Sequence, residues 1–152
     1  MELREIIKDV PIIPESATFR EALSAMVKQQ TNSLLVIDEE GKLSGEVSVS
    51  DLMDGIVPEY LDGDSIAAHF ATEEMFKEAV QDAADKEVRD FMGVDTDPVE
   101  VDDGLMEVAA NAIAHQRARI PVVDHEDRPL GIISRRGLKK LIASFLNITD
   151  SA

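Results

Sequence analysis

The sequence predicts a mixed α/β fold made by duplicating one β-α-β-β-α unit, with a helical insertion between the copies. Three observations predict it. Residues 18–52 lie over residues 104–138 at a constant offset of 86, with eight of 35 positions identical. Each overlaid stretch opens with an apolar stripe at helical spacing. Each stripe is followed by a short, wholly apolar run of the kind that forms a strand buried on both faces.

The elements follow in order. Phe19, Ala22, Leu23, Met26 and Val27 fall at i, i+3, i+4, i+7 and i+8, the pattern of an amphipathic helix, and their partners Leu105, Val108, Ala109, Ala112 and Ile113 keep the register. Thr18 and Glu21 make a capping box at the first helix start, and Glu107 repeats the acidic half. The strand runs are LLVID at 34–38 and IPVVD at 120–124. Polar turns EEGK and HEDR lead into second strands through Gly45 or Gly131 and on to Ser48 or Ser134. A closing helix carries Leu52, Met53, Ile56 and Val57 in one copy, and Leu138, Leu141, Ile142, Phe145 and Leu146 in the other. Upstream, LREII at 3–7 is echoed by VRDFM at 88–92, and short strands are expected near 11–13 and 98–101. The organisation read from this is a first motif over 1–58, an acidic helical connector over 59–86 and a second motif over 87–148.

Composition narrows the function. The 152 residues carry 31 acids against 15 Lys and Arg, a formal charge of −16, the wrong sign for neutralising nucleic-acid phosphates. Cysteine is absent, which removes disulfides, thiolate metal sites and cysteine nucleophiles. No apolar run approaches the ~20 residues of a membrane span, and the first ten residues mix charges with apolar residues unlike a signal peptide. A cytoplasmic location is the expectation. Residues 59–103 alone hold 15 acids and three bases. Within them Met75, Phe76, Ala79, Val80 and Ala83 have helical spacing after a capping Thr72, so the connector reads as a helical insertion with a solvated acidic face.

Catalytic and metal signatures are weak. His69, His115 and His125 lie in unrelated segments, and the His69–Glu73 spacing is interrupted by the cap at Thr72. Ser48 does not sit in Gly-x-Ser-x-Gly, and neither common glycine-rich phosphate loop is present. The expectation is a non-enzyme with no catalytic cofactor and no metal.

Each copy resembles a cystathionine-β-synthase (CBS) domain, and the chain is similar to a CBS pair with a long intervening segment. In the second copy the matching residues are VRDFM, DPVEV, LMEVAANAIAHQRA, RIPVVD and PLGIISRRGL; in the first they are LREII, VPIIP, TFREALSAMVKQQ, LLVID and LSGEVSVSDLM. The resemblance implies two small sheets packed about a pseudo-twofold axis with two clefts between the copies, and a disc-shaped homodimer. It also implies a sensor role: the clefts of such pairs take AMP, ADP, ATP or S-adenosylmethionine and regulate an attached or partner protein.

The same resemblance assigns candidate residues. Ser48 and Asp51 match the family's ribose-phosphate pattern, in which a carboxylate accepts from both ribose hydroxyls and helix N–H groups face a phosphate. Spacing alone gives another reading, in which Ser50 or Asp51 caps the helix that starts there. The other wall of that cleft comes from the opposite copy: Thr96, Asp97, Pro98 and Val99, with Arg119, Ile120 and Pro121. A second, weaker site is expected around Ser134, Arg135, Arg136, Pro11 and Ile12, where Gly137 replaces the ribose-holding aspartate. Arg117, Arg119, Arg135 and Arg136 offset the overall negative charge near the clefts. Two alternatives remain: a dimeric interaction scaffold whose clefts bind nothing, and a divalent-cation-responsive regulator that uses the acidic connector.

Overall fold

The computed structural model describes residues 2–57, 69, 72–115 and 119–149. Most of the connector before its helix, and Arg117, lie outside these residues. The elements run β1 (Ile7–Lys8), β2 (Ile12–Pro14), α1 (Phe19–Gln29), β3 (Ser33–Ile37), β4 (Leu43–Ser48), α2 (Val49–Ile56), α3 (Glu73–Ala83), β5 (Val99–Glu100), α4 (Leu105–His115), β6 (Arg119–Val123), β7 (Pro129–Ser134) and α5 (Arg135–Phe145). Short 3-10 turns at Leu3–Ile6 and Val88–Asp90 lead into each copy. The duplicated β-α-β-β-α order is therefore present, with a helix between the copies. Among the described residues no helix is long and apolar enough to cross a membrane.

Local chemistry explains why the repeat kept particular residues. Thr18 Oγ1 accepts from the Glu21 N–H at 3.2 Å while Glu21 Oε1 accepts from the Thr18 N–H, the reciprocal cap that starts α1. In the hairpin turns, Asp38 Oδ1 accepts from the N–H groups of Glu40 (2.8 Å) and Lys42 (3.0 Å). Asp124 Oδ1 does the same for Glu126 (2.8 Å) and Arg128 (3.0 Å). Short aspartates holding their own turns in this way account for the Asp38/Asp124 identity. Those two backbone bonds, Arg128 first, hold the Asp124 carboxyl below its ordinary range.

The sheets are β1-β7-β6-β5 and β2-β3-β4. The leading segments cross over. Leu3 and Ile6 pack into the second core with Val99, Val108, Ile120, Val122, Ile133 and Leu141, and β1 pairs antiparallel with β7. Reciprocally, Val88 lies in the first core with Phe19, Ala22, Met26, Leu34, Val36, Val47 and Leu52, with Phe91 and Met92 packed against it. Gly93 and Glu46 exchange both N–H···O bonds at 2.9 Å. Each copy thus lends its first segment to the other, as a twofold relation between them requires.

The crossing explains the Gly45/Gly131 identity. A Cβ at Gly131 would stand 2.5 Å from the Lys8 carbonyl oxygen, and one at Gly45 would stand 2.6 Å from Met92 Sδ and 2.9 Å from the Gly93 oxygen. Only a residue without a side chain lets the borrowed strand approach the last strand so closely.

The acidic helix α3 is stitched to the first copy. Ala83 and Ala84 are buried, Lys86 Nζ donates to the Gly55 carbonyl at 3.0 Å, and the Lys86 carbonyl accepts from the Phe19 N–H at 2.8 Å. Glu73, Glu74, Glu78 and Asp82 are exposed, the solvated face that the sequence suggests.

A third, smaller core joins the copies: Val10, Leu35 and Ile132, with Leu43 against them. Beside it the Leu43 N–H donates to the Asp127 carbonyl at 2.8 Å, linking the two hairpins. Several helix stripes are only half used within one chain. Leu23 and Val27 on α1, Met53 on α2, and Ile142 and Phe145 on α5 are exposed, with Leu146 and Ile148 beyond α5.

Candidate functional site

Strand alternation decides which candidates face the other copy. Leu35 and Ile132 meet in the inter-copy core, so residues two positions away on the same strands, and their cross-strand partners, turn the same way. The register pairs Ser33 with Ser48 and Arg119 with Ser134. Ser33, Ser48, Arg119, Pro121 and Ser134 accordingly lie on the faces the copies turn toward each other. Val99 and Ile120 do not. Their side chains are buried in the second core with Val122 and Ile133, so what these two residues offer a ligand is backbone.

Ser48 ends β4 and caps α2; the helix begins before Ser50, so neither Ser50 nor Asp51 is its cap. Ser48 Oγ accepts from the Asp51 N–H at 3.3 Å. Asp51 Oδ2 accepts from the Ser48 N–H at 2.8 Å and from Ser48 Oγ–H at 3.0 Å. Both residues are half-buried. The pair is therefore a capping box and, at the same time, a carboxylate and a hydroxyl beside free N–H groups at a positive helix end. These roles coexist, because the carboxylate has a second oxygen that the box does not use.

The other candidates spread along the crossing segment and the second sheet. Thr96 is buried; Asp97 and Pro98 are exposed. Asp97 has φ +34, and its carbonyl accepts from Asn111 Nδ2 at 3.0 Å, which ties the approach to β5 onto α4. Arg119 is half-buried at the start of β6.

At the weaker site, Ser134 caps α5 by accepting from the Gly137 N–H at 3.1 Å, and Arg135 and Arg136 are exposed in the first turn. The Pro11 carbonyl accepts from the Leu35 N–H at 3.0 Å, and Ile12 is exposed. A Cβ at Gly137 would stand 3.3 Å from both Ile6 Cβ and the Ile6 carbonyl oxygen. The place of the missing aspartate is thus crowded by the borrowed 3-10 turn, and a side chain there needs Ile6 to give by a few tenths of an ångström. Gly137→Asp should lower stability by up to about 2 kcal/mol, overpacking against Ile6 outweighing the capping box that the new carboxylate makes with Ser134, without adding a second ribose site. Urea denaturation and binding stoichiometry check this; a stable variant that gains a site would refute it.

Ser33, the cross-strand partner of Ser48, is a residue of this face that sequence reasoning did not single out. It is buried, and among the described residues its Oγ has no hydrogen-bond partner. The signal was present in the repeat, since Ser33 stands 86 residues before Arg119. Among the described residues no group of three or more His, Asp or Glu is placed to hold a metal ion.

Known proteins agree with this architecture. The family model for the CBS domain matches twice, at residues 3–58 and 88–144. Among curated relatives, an uncharacterized protein of Methanocaldococcus jannaschii, MJ1426, is 26% identical over 149 residues, covering 91% of this chain and 89% of that protein. An uncharacterized 33.4 kDa protein of Thermofilum pendens and the inosine-5′-monophosphate dehydrogenase of M. jannaschii are each 28% identical, and the chain spans only 42% and 22% of their lengths. Among solved structures, a CBS domain-containing protein of Kribbella flavida superposes with a TM-score of 0.77 at 23% identity, covering 94% of this chain and 99% of that one. The CBS domain pair of protein MJ0100, solved in complex with 5′-methylthioadenosine and S-adenosyl-L-methionine, superposes with a TM-score of 0.63 at 21% identity, covering 93% and 99%. With the domain model matched in both halves and the paired fold in place, the chain belongs to the CBS domain family and carries the domain as a tandem pair.

Proposed function

We propose that this chain is a non-catalytic regulatory module that binds an adenosine-containing ligand in the cleft formed by Ser48 and Asp51 and the facing copy. AMP, ADP, ATP and S-adenosylmethionine are the candidate ligands. The observation that carries the reading is the Ser48–Asp51 pair, held at a strand–helix corner on the face turned to the other copy. The complexes of the MJ0100 pair support an adenosyl ligand for this fold.

In this reading Asp51 accepts from the ribose hydroxyls, the α2 N-terminus and Ser48 face the phosphate, and Arg119 supplies positive charge. Thr96 and Asp97, with the backbone around Val99, Ile120 and Pro121, form the adenine wall. The Ser134 cleft, with Arg135, Arg136, Pro11 and Ile12, is the weaker site. Ligand acts by preferring one relative orientation of the copies, since only differential affinity moves such an equilibrium. The exposed apolar faces of α1, α2 and α5 fit a homodimer, and the exposed acids of α3 fit contact with a regulated protein.

The test is thermal stability against AMP, ADP, ATP, S-adenosylmethionine and NADH, with and without Mg²⁺. A ligand at 100 times its Kd adds about 2.7 kcal/mol. Asp51→Ala should abolish that increment. Because it also opens the capping box, at about 1 kcal/mol, each variant is compared with its own ligand-free baseline. A shift unchanged in Asp51→Ala would move the site elsewhere. No shift with any compound would favour the interaction scaffold, which the missing carboxylate at Gly137 already favours for the second cleft. A shift with Mg²⁺ alone would favour the cation-responsive alternative.

A further inference from the structure

The β6–β7 turn carries a side-chain arrangement that its counterpart in the first copy lacks. His125 Nε2 lies 2.8 Å from Asp102 Oδ2, and Nδ1 lies 3.2 Å from Glu100 Oε2. Both ring nitrogens thus meet carboxylates, and a neutral imidazole has a proton for only one of them. Asp102 also pairs with Arg4 at 3.1 Å, which brings in the borrowed leading segment. Two residues along the same turn, the Asp127 carbonyl accepts the Leu43 N–H from the other copy. Glu39 stands where His125 would be in the first copy, so the arrangement exists once.

We propose that His125 is a pH-dependent clasp: when protonated it bridges Glu100 and Asp102, and so holds the β6–β7 turn where Asp127 engages the opposite hairpin. The charged groups around it give the sign. Glu100 and Asp102 face it from the end of β5, with Arg4 shared by Asp102; Asp124, Glu126, Asp127 and Arg128 lie on its own turn. Glu40 and Lys42 from the opposite hairpin line the same surface hollow, where Lys42 pairs with Glu40 and Arg128 with Glu126. Acids outnumber bases in this group, so loss of the imidazolium leaves Glu100 and Asp102 with no shared cation. The bond to Asp102, then that to Glu100, raises the His125 pKa above its ordinary value. The sign is that of a raised histidine: the contribution is complete below about pH 6.5 and is lost as pH rises through the folded-state value.

An NMR titration of the three histidines in the full chain tests this, with Leu43 amide exchange measured across the same range. His125 should titrate above about 6.5, and Glu100→Gln and Asp102→Asn should each lower its midpoint. The Leu43 protection factor, corrected for intrinsic exchange, should fall by roughly two- to fivefold as His125 loses its proton. In His125→Gln, at an exposed position, Leu43 protection should be low and flat with pH. A midpoint at or below 6.5 overturns the clasp. So does wild-type Leu43 protection that matches His125→Gln at low pH.

Discussion

Gly131→Ala is expected to be among the most damaging single substitutions in this protein, lowering stability by about 3–5 kcal/mol. Two effects add. The new Cβ would sit 2.5 Å from the Lys8 carbonyl oxygen and 2.9 Å from Ile7 Cγ2, so the borrowed strand must withdraw. Gly131 also has φ +151, a backbone conformation that side-chain-bearing residues adopt only with strain. Gly45→Ala should cost less. Its nearest contact is the flexible end of Met92, although the Gly93 oxygen at 2.9 Å still has to move, and its backbone carries no positive φ. Urea denaturation of both variants gives the order, and a Gly45 substitution that proved the more harmful would contradict the account.

The second large effect is expected at Phe19. It opens α1, is 2% exposed, and meets Phe91 of the borrowed segment with ring centroids 5.7 Å apart and planes at 59°. Gly55 of α2 borders the pair; a Cβ there would lie at ordinary van der Waals contact, 3.5 Å from Phe91 and 3.6 Å from Phe19. Phe19→Ala empties a site walled by three separate segments that cannot collapse together, so the loss should be about 3–5 kcal/mol. A double-mutant cycle with Phe91→Ala should show a coupling of about 0.5–1.5 kcal/mol. No coupling would mean that the crossing segment is not held by this contact.

What the sequence made legible was whatever repeats by period. The amphipathic stripes, the buried strands, the Thr18 and Thr72 caps and the helical connector all follow from local spacing, and the structure has each of them. The exchange of leading segments was not legible. LREII and VRDFM are similarly apolar, and a pair that keeps its own segment buries much the same surface as one that trades it. The α2 start was missed for a related reason: Ser48, Ser50 and Asp51 are all good caps, and only the end of the β4–β3 ladder selects Ser48. Gly137 was readable as a lost carboxylate, but that Ile6 crowds its place depends on the crossover.

The exchanged segments also impose an order of events on synthesis. Lys8 leaves the ribosome 124 residues ahead of its ladder partner, Ile132. At roughly 5–20 residues per second the nascent chain carries its leading apolar turn unpartnered for about 6–25 seconds. The first sheet waits less than half as long, because Gly93 follows Glu46 by fewer than fifty residues. Vectorial folding should therefore complete the first core while the second waits, and the leading segment is the stretch most exposed to chaperone capture during translation.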